Sequence, residues 1–359
     1  MSESYYSKRI DAVKKEISAC KLDAFLVTSG TNVTYLTGFR GHDSILLITR
    51  TRSFFVTDSR YLEEAEDTVC GFDIRLVTVS TYQTLKDISR KMVLKKIGFE
   101  SMDMPYGAVE RLKDAMPDID FVPMKDLVES LRAVKDASEI QLIKKSVRLV
   151  REVLVKAIGF IKPGIFENDV AQKIELEFIK HGACPAFDTI AAAGANSSKP
   201  HAIPGRTKIR KDSFVMIDTG CVLDGYNSDI TRMVLTGRVR EKFKKIYNIV
   251  DDARKIAIDA VKPGSRIADI DYAGRGYIQK KGFGKYFGHS LGHGVGLEVH
   301  EQPSISKLNE SLLKPGMVFT IEPGIYIPDW GGVRIEDTVV VTQDGCRTLT
   351  KVPKQLMVL

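Results

Sequence analysis

Apolar and polar residues change period along this chain, and the changes predict its elements. Residues 5–19 read as a helix. The runs DAFLVT, SILLIT, SFFVT and DIRLVTV are short and rich in β-branched and aromatic residues, as strands are. Residues 61–68, 82–94 and 105–116 return to helix, with Pro105 suited to a first helical position. Residues 1–132 therefore read as a small α/β domain with no glycine-rich phosphate loop and no acid/base cluster of its own. Asp58 and Arg60 follow a strand end and are expected to pair and cap the next helix.

A boundary falls near residues 132–137. Asp136 is placed to cap the following helix, with Glu139 in the reciprocal position. In that helix Ile140, Ile143, Val147, Val150, Leu154 and Ile158 keep a spacing of three and four, which makes one buried stripe.

Residues 133–359 are doubled. AIGFIKPG begins at Ala157 and AIDAVKPG at Ala257, so Lys162-Pro163-Gly164 recurs as Lys262-Pro263-Gly264 at a shift of 100. Lys180 and Gly182 fall on Lys280 and Gly282 at the same shift. FVMIDTG, with Asp218, matches VFTIEPG, with Glu322, at a shift of 104. Asp229 in SDITR is answered by Glu336 in RIEDT. Each half reads helix, Lys-Pro-Gly turn, helix, then strands ending in an acid. The period is too long for a solenoid. It implies a pseudo-twofold domain with four acids converging between its halves.

The pattern near Asp218 sharpens this. Asp224-Gly225 signals a two-residue hairpin turn, because both positions need positive φ. A turn there pairs residue 218 with 231 and 220 with 229, which places Asp218 and Asp229 on one face of adjacent strands. Two carboxylates in one space repel unless a positive charge lies between them. Hard cations take such oxygens. The plainer reading, a solvated hairpin with two unrelated acids, loses ground to the matching pair in the second half. Arg334 and Glu336 share a strand face, so the guanidinium is placed to hold an acid or offset its charge.

Three of the six histidines lie in GHSLGHGVGLEVHE: His289, His293 and His300. The intervening glycines let backbone approach a ligand closely. Four carboxylates and one imidazole suffice for a two-metal site, in which ions about 3.5 Å apart share a hydroxide. His201, in the loop KPHAIPG, is a candidate proton carrier or oxyanion partner. His42 and His181 have no such surroundings.

Composition narrows the class. A chain of 359 residues makes about two domains. The net charge of +7 is spread without a concentrated Lys/Arg run, which argues against nucleic acid as a partner. Lys242–Lys245 reads as the solvated face of a helix. No apolar run approaches a membrane span, and the polar start is unlike a secretory signal. Five scattered cysteines without Cys-x-x-Cys spacing suggest reduced thiols in a cytoplasmic setting.

IDTG, SDITR, GHSLGHGVGLEVHE, IEPGIY and RIED, in this order, resemble the motifs of the pita-bread metallopeptidases, above all Xaa-Pro aminopeptidases and prolidases. The resemblance covers essentially the whole chain, including the YLTGF segment at Tyr35 and a creatinase-like N-terminal domain. It implies an α/β (α+β) fold, with a small α/β domain over residues 1–132 and a pseudo-twofold pita-bread domain over 133–359. It implies that Asp218, Asp229, His293, Glu322 and Glu336 hold two divalent ions, with Asp229 and Glu336 bridging both. Mn²⁺ is the first expectation, and Co²⁺, Zn²⁺ or Fe²⁺ are the alternatives.

The implied reaction is hydrolysis of the Xaa-Pro bond by a hydroxide shared between the ions, in peptides or in Xaa-Pro dipeptides. Glu322 would accept the proton, His300 would stabilise the oxyanion and His201 would serve the leaving group. His289, Tyr326 and Arg334 would bind or support the substrate. The resemblance further implies a proline-containing peptide as partner, and a homodimer in which one subunit's N-terminal domain approaches the other's active site. Methionine aminopeptidases share the ligand set but usually lack such a domain. They rank second, ahead of a non-enzymatic binding protein on the same fold. Aminopeptidase and dipeptidase differ in whether the cleft continues or the proline carboxylate is gripped.

Overall fold

Apolar runs near the N-terminus pair into one six-stranded sheet in the computed structural model, which describes residues 3–238, 240–350 and 357–358. The chain divides into two compact units, Met1–Arg132 and Ala133–Leu359. The first unit runs α1 (Glu3–Ala19), β1 (Ala24–Val27), α2 (Gly30–Thr37), β2 (Ile45–Thr49), β3 (Ser53–Thr57), α3 (Leu62–Thr68), β4 (Asp73–Leu76), α4 (Thr81–Lys91), β5 (Lys96–Glu100), α5 (Tyr106–Ala115), β6 (Asp120–Met124) and α6 (Leu127–Arg132). Its strand order is β4-β3-β2-β1-β5-β6. β1 and β3 are buried at every position, as strands covered on both faces are.

Three local expectations need correction. Pro105 is not the first helical residue but the N-cap of α5, with φ −60° and ψ 142°. Arg60 does pair with Asp58, at 2.6 Å, and reaches Asp43 at 2.8 Å. The pair caps nothing, since the N-cap of α3 is Tyr61 and has no side-chain bond. The unit also contains a buried acid. Glu100, at the end of β5 and 4% exposed, accepts from Thr28 N at 2.6 Å, Ser29 N at 2.7 Å and Asn32 Nδ2 at 2.6 Å. Asn32 Nδ2 also donates to Glu129 at 2.5 Å, and Asn32 Oδ1 accepts from Arg132 at 2.8 Å. This cluster ties the start of α2 to β5 and α6. Burial pushes the Glu100 carboxyl up to about 7, against the pull of its donors.

The second unit runs α7 (Ala137–Ile158), α8 (Glu167–Lys180), β7 (Cys184–Pro185), β8 (Ile190–Ala193), β9 (Phe214–Thr219), β10 (Cys221–Leu223), β11 (Tyr226–Asn227), β12 (Ile230–Leu235), α9 (Glu241–Ala260), α10 (Ile267–Lys280), β13 (Gly292–Gly294), β14 (Glu301–Ile305), β15 (Val318–Ile321), β16 (Gly324–Ile327), β17 (Gly331–Arg334), β18 (Asp337–Val341), β19 (Cys346–Thr348) and β20 (Met357–Val358). Asp136 and Glu139 close a reciprocal capping box at the start of α7. Two sheets carry the halves, ordered β20-β12-β9-β8 and β14-β13-β15-β18-β19. β9 is buried on both faces. Val215 and Ile217 pack with α7 and α8, and Met216 packs with α9 and α10.

The doubling is written in backbone bonds. Gly164 N donates to Ile209 O at 2.8 Å, and Gly264 N to Leu313 O at 2.8 Å. Ile209 N returns to Ile165 O at 2.9 Å, and Leu313 N to Ser265 O at 2.9 Å. The turn residues before the second helix of each half are thus 100 residues apart and their loop partners 104, the offset that relates Asp218 to Glu322. Among the described residues no helix is long and apolar enough to cross a membrane.

Asp224 and Gly225 take φ 52° and 82°, as a two-residue hairpin of this kind requires. The register that follows sets Leu223 opposite Tyr226 and Asp218 opposite Thr231. Gly225→Val puts a β-branched residue at positive φ, at a cost of about 1–2 kcal/mol. For a domain of this size the expected fall in Tm is about 2–8 °C. An unchanged melting temperature would show that this turn does not hold the register.

Candidate active site

Strand ends deliver the acids. Asp218 is the fifth residue of β9, Asp229 immediately precedes β12, Glu322 follows β15, and Glu336 precedes β18. His293 is the middle residue of β13. Its neighbours must be glycine. A Cβ on Gly292 would lie 1.9 Å from the Thr320 carbonyl oxygen, and one on Gly294 would lie 2.2 Å from that of Gln302. β13 therefore fits between β14 and β15 and presents one imidazole.

The groups converge closely. His293 Nε2 lies 3.4 Å from Glu322 Oε1 and 3.5 Å from Asp229 Oδ2. Asp229, His293 and Glu336 each offer one ligand atom within 4.8 Å of the others. His293 Nδ1 is 3.1 Å from the Gly294 carbonyl, an arrangement that leaves Nε2 to bind a metal. Asp218 Oδ1, Asp229 Oδ1 and Glu336 Oε1 are buried with no hydrogen-bond partner among the described residues. Such oxygens call for an unseen partner, and this donor set fits divalent cations.

Electrostatics points the same way. Burial, then the charge of Glu336, holds the Asp229 carboxyl well above the usual carboxylate range. Burial, then Glu322, does the same to Glu336, and burial takes Glu322 to about 8. Burial and His300 lower His293 to about 4, so near neutral pH its ring is uncharged and its contacts with the acids are not ion pairs.

Around this centre a second layer fixes orientation. Arg334, 3% exposed, donates to Thr231 Oγ1 at 3.0 Å, Tyr326 OH at 2.7 Å, the Pro200 carbonyl at 3.2 Å and Asp218 Oδ2 at 2.5 Å. The Tyr326 hydroxyl is also 3.0 Å from His289 Nε2. The His300 ring lies against His293 with centroids 4.2 Å apart and the planes tilted by 57°. One cavity of about 610 Å³ is lined by His201, Asp218, Asp229, His289, His293, His300, Glu322, Arg334 and Glu336. Tyr326 stands behind it, held by Arg334 and His289.

Other residues of this layer escape a reading by motif. Thr231 Oγ1 donates to Glu336 Oε2 at 2.7 Å, so this hydroxyl links Arg334 to a central acid. Arg232 donates to the carbonyls of Thr231 and Glu336 and pairs with Asp337 at 2.8 Å. Arg254 from α9 meets the same carboxylate at 2.6 Å. Thr231 and Arg232 lie inside SDITR and Asp337 inside RIED, where cross-strand pairing was the available signal. Arg254 has no local signal.

Fold and site together define a metallopeptidase. Residues 141–343 match the metallopeptidase family M24, and residues 9–134 match the creatinase/prolidase N-terminal domain. The chain belongs to this family. It is 39% identical over 339 residues to the Xaa-Pro dipeptidase of Pyrococcus horikoshii, covering 94% of this chain and 95% of that one. The solved Xaa-Pro dipeptidase from Bacillus anthracis superposes with a TM-score of 0.96 at 36% identity, over 99% of this chain and 100% of that one. The X-Pro aminopeptidase from Thermotoga maritima gives 0.88 at 35%, over 94% and 98%.

Thr231→Val keeps the side-chain shape but removes the hydroxyl between Arg334 and Glu336. Metal affinity is expected to fall by about 10–100-fold, the usual effect of losing a residue that orients a ligand. Thr231→Ser should restore it. Equal affinities for all three proteins, measured by competition with a chelating dye, would assign the hydroxyl to packing.

Protein stripped of divalent ions should show an inverted pH response. The folded Glu322 carboxyl stands at about 8 against an ordinary 4.5. A raised folded value adds stability that is complete below the unfolded value and lost as pH rises through the folded one. The Tm of stripped protein should therefore fall from pH 7 to pH 9, above the range where the neutral His293 gives the opposite slope, and added Mn²⁺ should remove that fall. Differential scanning calorimetry across this range decides it, and a stripped protein whose Tm stays flat refutes it.

Proposed function

We propose that this chain hydrolyses the peptide bond between an N-terminal residue and proline, using two divalent ions held by Asp218, Asp229, His293, Glu322 and Glu336. The observation that carries the reading is the set of three buried carboxylate oxygens without partners among the described residues, in a cavity also lined by three histidines outside the ligand set. The substrate class is supported by the names borne by relatives similar over nearly the whole length. Bound ions would supply a lowered water pKa and a polarised carbonyl.

The remaining steps belong to side chains. Asp229 and Glu336 would serve both ions. The Glu322 carboxyl, buried beside His293, takes the proton of the attacking water. His300, on the open side of His293, donates to the oxygen that gains charge. His201, on an exposed loop lining the same cavity, returns a proton to the leaving proline nitrogen, which has none of its own. Arg334 and Tyr326 hold Asp218 and the His289 ring, so that His289 forms a fixed wall for the proline. The substrate's N-terminal ammonium meets acids. The reading includes Mn²⁺ as the metal, a homodimer, and a cytoplasmic setting that suits five unpaired cysteines.

A chelator should abolish activity, and Mn²⁺ or Co²⁺ should restore it. Packing of the proline ring alone should favour Ala-Pro-Ala over Ala-Ala-Ala by about 10–200-fold in kcat/KM. Equal values would leave a metallopeptidase without proline selectivity. Activity that survives exhaustive chelation would remove the metals from the reaction.

A further inference from the structure

The charges lining the cavity are unequal. Five acids face it: Asp188, Asp218, Asp229, Glu322 and Glu336. Among the described residues lining it, the only Lys or Arg is Arg334. That guanidinium already donates to Thr231, Tyr326, the Pro200 carbonyl and Asp218. The His289 ring is engaged on both sides, with Nδ1 2.8 Å from the Ser290 carbonyl and Nε2 3.0 Å from Tyr326 OH. Four ligand carboxylates neutralise two divalent ions, and Arg334 offsets Asp188. This chain's own lining thus offers no surplus positive charge.

This bears on what may follow the proline. In an Xaa-Pro dipeptide the proline carries a free carboxylate, one residue from the bond that is cut. An anion brought there would lose water and gain no cation, which is costly. In a longer peptide the same position is a neutral amide. Part of the cavity lining suits an amide. Ser304, exposed on β14, presents a hydroxyl, and Phe187, Pro204 and Ile203 present apolar surface. Ile203 is 87% exposed, in a loop whose backbone is restrained by Pro200 and Pro204. A side chain that lines the cavity and is open to water gains by being covered when an apolar group enters.

We propose that the site takes peptides that continue past the proline and disfavours free Xaa-Pro dipeptides, with Ser304 as the residue that sets this choice and Ile203 as the contact for the residue after proline. The proposal rests on the Xaa-Pro reading above. It is tested on the whole Mn²⁺-loaded protein at pH 8, where an ordinary histidine ring is neutral. Ala-Pro-NH₂ and Ala-Pro-Ala should each exceed Ala-Pro in kcat/KM by about tenfold or more, within the range that one pocket contact commands. Calorimetry should show prolinamide binding more tightly than proline, a readout independent of turnover. Ser304→Arg, which supplies the missing cation, should raise Ala-Pro and narrow the gap. Ile203→Ser should lower Ala-Pro-Leu towards Ala-Pro-Gly. Ala-Pro cut as fast as Ala-Pro-NH₂ overturns the proposal and leaves the Xaa-Pro reading standing. A Ser304→Arg protein with wild-type ratios removes Ser304 from the choice. No cleavage of any Ala-Pro substrate overturns both readings.

Discussion

Repulsion among buried carboxylates is the constraint that the catalytic unit is built to withstand. Asp229 and Glu336 are 4% and 1% exposed, and both are pushed well above the ordinary carboxylate range. Such a group is tolerated only when its surroundings hold it in place. Here each acid sits at or next to the end of a strand, so ladder bonds fix its backbone while its carboxylate is free to turn inward. The compensation is graded. Arg334 takes one oxygen of Asp218, and the Thr231 hydroxyl takes one oxygen of Glu336. One oxygen each of Asp218, Asp229 and Glu336 is left for a cation.

A deeper ion cluster carries the load without discharging the centre. Arg232 bonds the carbonyl of Glu336, and its charge is spent on Asp337, which Arg254 shares. All three are nearly inaccessible to water. The pairing matters here, since a buried ionic group left without its partner destabilises strongly. Arg232 comes from the first half, and Asp337 and Glu336 from the second. The same contact that locks the halves together thus positions a central acid. That is why a doubled fold suits this chemistry: two acids from each half meet only if the halves are held in one register.

Much of this was legible in the sequence because it was local or repeated. The Asp224-Gly225 turn, the Asp136–Glu139 box and the Lys-Pro-Gly repeat each state their geometry within a few residues. So do the motifs that bring nine site residues to one cavity. What escaped was non-local or atypical. α2 reads GTNVTYLT, opened by glycine and rich in β-branched residues, which is a poor helical signature. β5 reads KIGFE, charged at both ends and interrupted by glycine, so its alternation is broken. Glu100 looks like a strand-end surface acid, yet its backbone donors lie 71 and 72 residues earlier. Arg254 occurs in a helix rich in Lys and Asp, where nothing marks one cation as buried. In each case the decisive partner is far along the chain.

Variation can act where a side chain carries no bond that the fold needs. Relatives near 36% identity superpose over almost the whole chain, yet one bears the name of a dipeptidase and another that of an aminopeptidase. A shared fold cannot make that distinction, which must fall to side chains that vary around the site. The most replaceable are those whose neighbours do the structural work. On β14 the residues on either side of position 304, Pro303 and Ile305, are buried, and Ser304 alternates outward into the cavity. A strand of this kind can change its outward residue without disturbing the inward ones. The glycines flanking His293 have no such latitude, because a Cβ at either would collide with the Thr320 or Gln302 carbonyl oxygen. The architecture therefore separates two tasks. The acids and His293 are locked by backbone packing and by the halves' shared ion cluster, so hydrolytic chemistry is inherited with the fold. On the reading proposed above, substrate length is left to wall positions such as Ser304, whose buried neighbours hold the strand.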